Sequence, residues 1–221
     1  MRAKLLTEFV GTFVFLTAIA LSGRAGAFAP LAMGLTLTAM VYMGGHVSGA
    51  HYNPAVSFGL FLRRVIPAST MVIYWLVQVA AGVLAFAFAF ALTGHSGGIH
   101  PGTGVNPFTA IAAEILFTTA LVLVILNVAA TAETAGNSYY GLAIGFTVAG
   151  GAFAVGPISG AAFNPAVGIS ATFAAAVFAH DSWSDLPIYI VGPLAGAAVG
   201  ALIHRLQARQ RPVLPETSER E

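Results

Sequence analysis

Ser48-Gly49-Ala50-His51-Tyr52-Asn53-Pro54-Ala55-Val56 decides the fold, because the chain carries it twice: residues 159–167 read Ser159-Gly160-Ala161-Ala162-Phe163-Asn164-Pro165-Ala166-Val167. Seven of nine positions agree, 111 residues apart. Each copy has the grammar of a helix start: an Asn able to cap, then a Pro at the first helical position, where a missing N–H leaves nothing unpaired. The apolar run after Pro54 stops at Arg63-Arg64. Ten residues of helix rise about 15 Å, half of the ~30 Å hydrocarbon core of a bilayer. Each copy therefore reads as a re-entrant half-helix entered through an irregular loop at membrane depth. Backbone of that kind persists in a bilayer only where it is buried in protein or lines a watery cavity. Two copies imply a water-lined path where they meet.

Composition agrees with a membrane setting. The 221 residues are 57 % hydrophobic and only 8 % charged, with a mean hydropathy of +0.85; soluble domains average about 25 % charged. There is no cysteine, hence no disulfide framework and no thiolate metal site. The net charge of +1 gives no ground for nucleic-acid binding. Met1-Arg2-Ala3-Lys4 ahead of an apolar run is similar to a signal peptide, but Glu8 interrupts the run and the segment has a counterpart later in the chain, so it reads as a retained span.

Six full spans are expected, at about 5–22, 30–47, 67–92, 108–130, 139–157 and 187–207, with re-entrant units at 48–64 and 159–176. Pro67, Pro107 and Pro187 open three of the spans, and the Gly- and His-rich stretch 93–107 is a linker. Residues 1–207 are expected to form one transmembrane domain, with repeat one over about 4–93 and repeat two over about 107–207, and 208–221 is expected to be a charged, disordered cytoplasmic tail. Six spans put both termini on one side. Arg2, Lys4, Arg63, Arg64, Arg205, Arg209, Arg211 and Arg220 fall there and only Arg24 opposite, so both termini are expected in the cytoplasm of a multi-pass protein of the plasma or inner membrane.

The halves correspond beyond the repeated motif. Gly34 and Thr36 match Gly145 and Thr147 at the same spacing of 111, and Glu8 matches Glu114 at 106. Three spans per half is an odd number, so the repeats are inverted across the membrane, an arrangement that transport proteins use with a site at the repeat interface. The expected fold is all-α, six transmembrane helices plus two half-helices in an inverted 3+3 repeat.

The duplicated Asn-Pro-Ala, the run Gly45-His46-Val47-Ser48-Gly49-Ala50-His51-Tyr52-Asn53-Pro54-Ala55, the early Glu of each half and Gln78 together resemble the aquaporin (major intrinsic protein) family over about residues 4–207. The resemblance implies one pore per subunit, usually in a homotetramer embedded in lipid, and pore-lining loop carbonyls here at Gly49, Ala50 and His51 and at Gly160, Ala161 and Ala162. Aligned on each Asn, the family's selectivity-filter positions fall on Met33, Ala152, Ala161 and Val167, the last standing where most of the family has Arg. The expected function is a passive, cofactor-free channel for water or small uncharged solutes, glycerol-like or metalloid hydroxides such as arsenite, through a wide apolar filter. The alternative is a coupled secondary transporter of a small solute.

Several residues admit a second reading. Asn53 and Asn164 can serve only as caps, but capping uses the side-chain oxygen and leaves the NH2 group for the lumen, where two amide donors and two helix starts attract a permeating oxygen and repel cations. Pro54, Pro165, Ala55 and Ala166 are structural. Glu8 and Glu114 suit a proton relay or, better here, acceptors that pin the loops. His46 and His51 near Ser48 suggest a protease or a metal site, but the second copy has no His beside Ser159, and no ligand set converges. Gly192, Gly196 and Gly200 suit close helix packing, within the bundle or between subunits.

Overall fold

The computed structural model describes residues 1–207, and the tail expected over 208–221 lies outside them. The described residues are all-helical: α1 (Arg2–Ser22), α2 (Ala29–Ser48), α3 (Pro54–Leu62), α4 (Ala68–Thr93), α5 (Pro107–Ala129), α6 (Tyr140–Ser159), α7 (Pro165–Ala179) and α8 (Leu186–Gln207). Every element except α3 and α7 has at least 20 residues, enough for about 30 Å of membrane at 1.5 Å per residue. α1 and α2 form one apolar run, Arg2–Ser48. It is broken by a 3-10 segment in which Gly26 takes φ 56, a left-handed value open to glycine.

Helix ends follow the prolines, with local variations. Pro107 opens α5 behind Asn106, whose side chain caps the Phe108 N–H. Pro67 sits one place earlier than expected, as the extended residue ahead of α4, and Pro187 is the second residue of α8. The two re-entrant helices differ in length. α3 has 9 residues, ending where Arg63-Arg64 cannot stay in the bilayer, and Arg64 turns away at φ 61. α7 has 15, because its Ala-rich run meets no charge before it breaks at His180, φ 56. It rises about 22 Å, more than half a membrane.

Packing repeats the sequence symmetry. α1 packs on α2 and α4; its counterpart α5 packs on α6 and α8. Each re-entrant helix lies against the last long helix of the other half, α3 on α8 and α7 on α4. The halves join along α2 and α6, where Gly34 and Gly145 meet. The Gly192–Gly196–Gly200 stripe packs inside the bundle: a Cβ on Gly196 would sit 2.5 Å from the Ile115 carbonyl oxygen of α5 and one on Gly200 3.0 Å from that of Thr119.

Candidate functional site

The two loops that lead into α3 and α7 have the same backbone and the same supports. Gly49 and Gly160 cap α2 and α6 at φ 86, Ala50 and Ala161 follow at 50 and 54, and Tyr52 and Phe163 both take 50. L-residues seldom adopt such angles, so each loop must be held from outside. A buried glutamate from the first helix of the half does this. Glu8 Oε1 accepts from the Ser48 hydroxyl at 2.7 Å and the His51 N–H at 2.9 Å, and Oε2 from the Tyr52 N–H at 2.8 Å. Glu114 Oε1 accepts from the Ser159 hydroxyl at 2.7 Å and the Ala162 N–H at 3.0 Å, and Oε2 from the Phe163 N–H at 2.6 Å. Tyr74 and Tyr189 donate to the carbonyls of Ser48 and Ser159, at 2.9 and 2.7 Å. Both glutamates are fully buried. Ser48 Oγ thus donates to a carboxylate.

Each Asn caps its own helix and also reaches across to the other loop. The side-chain oxygens of Asn53 and Asn164 accept from the N–H of Ala55 and Ala166, at 2.8 and 2.9 Å. Asn53 Nδ2 donates to the Phe163 carbonyl at 2.9 Å, and Asn164 Nδ2 donates to the Tyr52 carbonyl at 3.0 Å. The NH2 groups are therefore not wholly open to the lumen, as capping alone suggests. One hydrogen of each laces the loops together and one remains. The pairing is possible because Ala55 and Ala166, both fully buried, let the loops close on each other.

Around this seam lies a cavity of about 20 Å³, room for about one water. Its wall is nearly symmetric. Phe15 and Leu121, Ile19 and Ile125, Met33 and Ile144, Leu37 and Val148, Ala50 and Ala161, His51 and Ala162, and Asn53 and Asn164 are matched pairs, joined by Val56 and Phe163. Asn53, Asn164 and His51 are the polar side chains on that wall. Ala50, Val56, Ile125 and Ile144 also bound a larger vestibule of about 470 Å³. That vestibule opens between the end of α2 and residues 131–137, on the side of the termini.

Of the filter positions expected from sequence, Met33 and Ala161 lie on the cavity wall. Ala152 is 5 % exposed and Val167 is fully buried, the third residue of α7, and neither lines the cavity. Of the expected loop residues, Ala50, His51 and Ala162 line it, Gly49 lines the vestibule, and Gly160 sits just outside. Pro54 and Pro165 are buried at the helix starts.

The halves differ around His51. The Ser57 hydroxyl donates to the Asn53 carbonyl at 3.2 Å, so His51 Nδ1, 2.9 Å away, donates to Ser57. Gln78 Nε2 donates to Ser57 at 3.3 Å and to Glu8 at 2.8 Å. The matching positions in the second half are Ala162 and Gly168, so this polar chain exists once. Among the described residues no group of three or more His, Cys, Asp or Glu is placed to hold a metal ion.

Comparison with known proteins agrees with this geometry. The family model for Major intrinsic protein matches residues 1–204. Aquaporin AqpM of Methanothermobacter marburgensis is 30 % identical over 237 residues, covering 91 % of this chain and 96 % of its own. Aquaporin TIP1-2 of Zea mays is 32 % identical over 216 residues, covering 90 % and 83 %. The X-ray structure of the aquaglyceroporin from Plasmodium falciparum superposes with a TM-score of 0.75 at 20 % identity, over 95 % of this chain and 96 % of that one.

Proposed function

The chain belongs to the major intrinsic protein family, and on that footing we propose that it is a passive membrane channel for water and small uncharged solutes, not an enzyme. The observation that carries the reading is the seam. Two amide N–H donors and two helix N-termini converge on a cavity with otherwise apolar walls and one titratable side chain, His51. A neutral oxygen can accept there, whereas a cation meets partial positive charge from both helix ends. A coupled transporter needs a site for its driving ion at the repeat interface, where the polar side chains on the cavity wall are two amides and one imidazole and none is a carboxylate.

Met33, Ala152, Ala161 and Val167 form the selective aperture in this reading. None brings a charge, which favours neutral solutes larger than water, such as glycerol or a metalloid hydroxide like arsenite. The loop carbonyls of residues 49–51 and 160–162 act as acceptors for such hydroxyls. Residues 1–207 act as one channel domain in lipid, with both termini cytoplasmic as the lysine and arginine asymmetry requires. Four copies, each with its own pore, form the assembly typical of this family. Stopped-flow light scattering on proteoliposomes, with water, glycerol and arsenite in turn, tests the reading. Permeation above empty liposomes without a gradient of any second ion is expected, and uphill uptake driven by a pH or sodium jump overturns it.

A further inference from the structure

A basic residue and an apolar groove share one side of the α1–α4 pair. Phe13, Thr17, Ala20 and Arg24 follow one another at helical spacing along α1 and just past its end. Phe13 meets Phe88 of α4, ring centroids 5.7 Å apart, and stacks on Phe9. Leu84 and Leu92 stand four residues to either side of Phe88, and the three are 52 %, 60 % and 45 % exposed. From Phe13 to Arg24 is about 16 Å at 1.5 Å per residue, the depth of one leaflet of a ~30 Å hydrocarbon core.

At the end opposite the termini the groove meets a hollow of about 530 Å³. Small residues shape it: Ala20, Gly23, Gly94, Gly97 and Ala179. Arg24 is on its wall, and no carboxylate is. The exposed Arg24 side chain donates from Nη2 to the Thr93 carbonyl at 3.4 Å, beyond the usual range for such bonds. The same carbonyl accepts from His95 Nδ1 at 2.8 Å, the better of the two bonds. A guanidinium carries five N–H donors in a fixed fork and keeps its charge at every physiological pH. Among the described residues that carbonyl engages one of the five. The others stand just past the ends of α1 at Ser22 and α4 at Thr93, both helices long enough to span, and so at the depth of lipid phosphates.

We propose that this hollow binds the phosphate of one phospholipid, whose acyl chain lies along the α1–α4 groove. The Arg24 fork takes two phosphate oxygens at once. Among the described residues Arg24 is the one Lys or Arg at that end of the spans, so a phosphate of that leaflet has a single guanidinium to meet. The apolar rows add position more than strength, because lipid tails are as apolar as leucine and a chain gains little by exchanging one for the other. The head group therefore decides the occupant. An anionic phospholipid such as phosphatidylglycerol is preferred over a lipid of equal chains without phosphate. A free anion suits the fork but leaves the groove unfilled. The site does not depend on what the pore conducts.

The test uses the full-length protein in a phosphate-free maltoside detergent, with Leu92→Trp as a reporter in the groove. Phosphatidylglycerol with brominated chains is titrated in. Quenching of the added tryptophan is read against the parent protein, which carries Trp75 and Trp183. Saturable quenching is expected, and adding Arg24→Gln should raise the half-quenching concentration about fivefold, the usual effect of one basic side chain at a phosphate surface. Arg24→Lys keeps the charge but loses the fork, so it should fall between the two. Brominated diacylglycerol of the same chains should quench weakly, and equally with and without Arg24. Inorganic phosphate in excess should not displace the lipid. Equal titration curves with Arg24 and with Gln there, or diacylglycerol quenching as well as phosphatidylglycerol, overturns the site. Displacement by inorganic phosphate shows an anion site instead of a lipid site and also overturns it. Should Arg24→Gln not fold, the Arg24→Lys and diacylglycerol arms decide.

Discussion

Gly34 and Gly145 occupy the same position in the two repeats, and in the folded chain they touch. A Cβ built on Gly34 would sit 2.5 Å from the Gly145 carbonyl oxygen and 2.6 Å from Ala149 Cβ, and one on Gly145 would meet the Gly34 carbonyl and Thr38 Oγ1. The approximate two-fold axis that relates the halves passes close to this contact. Thr38 Oγ turns back to donate to the Gly34 carbonyl at 3.0 Å, which closes off a polar group that the crossing would otherwise bury unpaired.

Gly34→Ala should therefore lower stability by about 1–3 kcal/mol, the usual cost of overpacking a dry contact. Gly150→Ala is the control, since a Cβ there meets nothing within 4 Å. Thermal unfolding in detergent, read by helical circular dichroism, should shift for the first variant and not for the second.

Asn53→Asp and Asn164→Asp each remove the donor that laces the loops and add a negative charge at a helix start. Each should leave a carbonyl, of Phe163 or Tyr52, without its partner, at about 1–3 kcal/mol. Proton or sodium leak should rise, measured with a pH-sensitive dye in liposomes. Unchanged leak from folded samples of both variants counts against a barrier at the seam.

Glu8→Gln and Glu114→Gln keep one acceptor oxygen but turn an NH2 group towards the N–H of Tyr52 or Phe163. One such mismatch should cost about 1–3 kcal/mol. Glu→Ala at either site orphans three loop donors and should cost more, lowering folded yield. The order Glu, Gln, Ala in thermal stability, with permeation tracking the folded fraction, is the expected result. Full folding with permeation abolished in Glu→Gln points instead to a proton role.

Val167→Arg places a long cation at a position where the wild-type side chain is fully buried. In the proposed reading, where Val167 borders the aperture, the guanidinium emerges towards the lumen and the passage should narrow. Glycerol permeability should fall more steeply than that of water, read as a ratio in the same liposomes. A level or rising ratio locates the narrowest point elsewhere.

The sequence makes the seam and its supports readable because polar atoms at membrane depth are conspicuous. Asn53, Asn164, Glu8 and Glu114 announce themselves by type and by spacing. The apolar wall is a different matter. Phe15, Ile19, Leu37, Leu121, Ile125 and Val148 line the cavity, but lipid and pore wall both accept apolar side chains, so helical periodicity does not separate them. Only the repeat does: each of these six has its partner 106 or 111 residues away. The anchoring roles of Ser48 and Ser159 are hidden for another reason: each carboxylate partner lies 40 or 45 residues earlier, and at Ser48 the nearby histidines suggest catalysis until that partner is seen. The contacts of His100 with Asp181 and Asp185 join residues 81 and 85 positions apart with no motif to mark them.

The seam also sets an order of events during synthesis. Everything that shapes the first loop is made early: Glu8 and Ser48 come before it, and Tyr74 and Gln78 follow soon after. Its stitch does not: Asn53 waits for Phe163, 110 residues downstream. At the pace of translation that is about 5 to 20 s. For that interval the first three helices must hold an open amide donor inside the bilayer. The second loop never waits, because the Tyr52 carbonyl is already in place when Asn164 arrives.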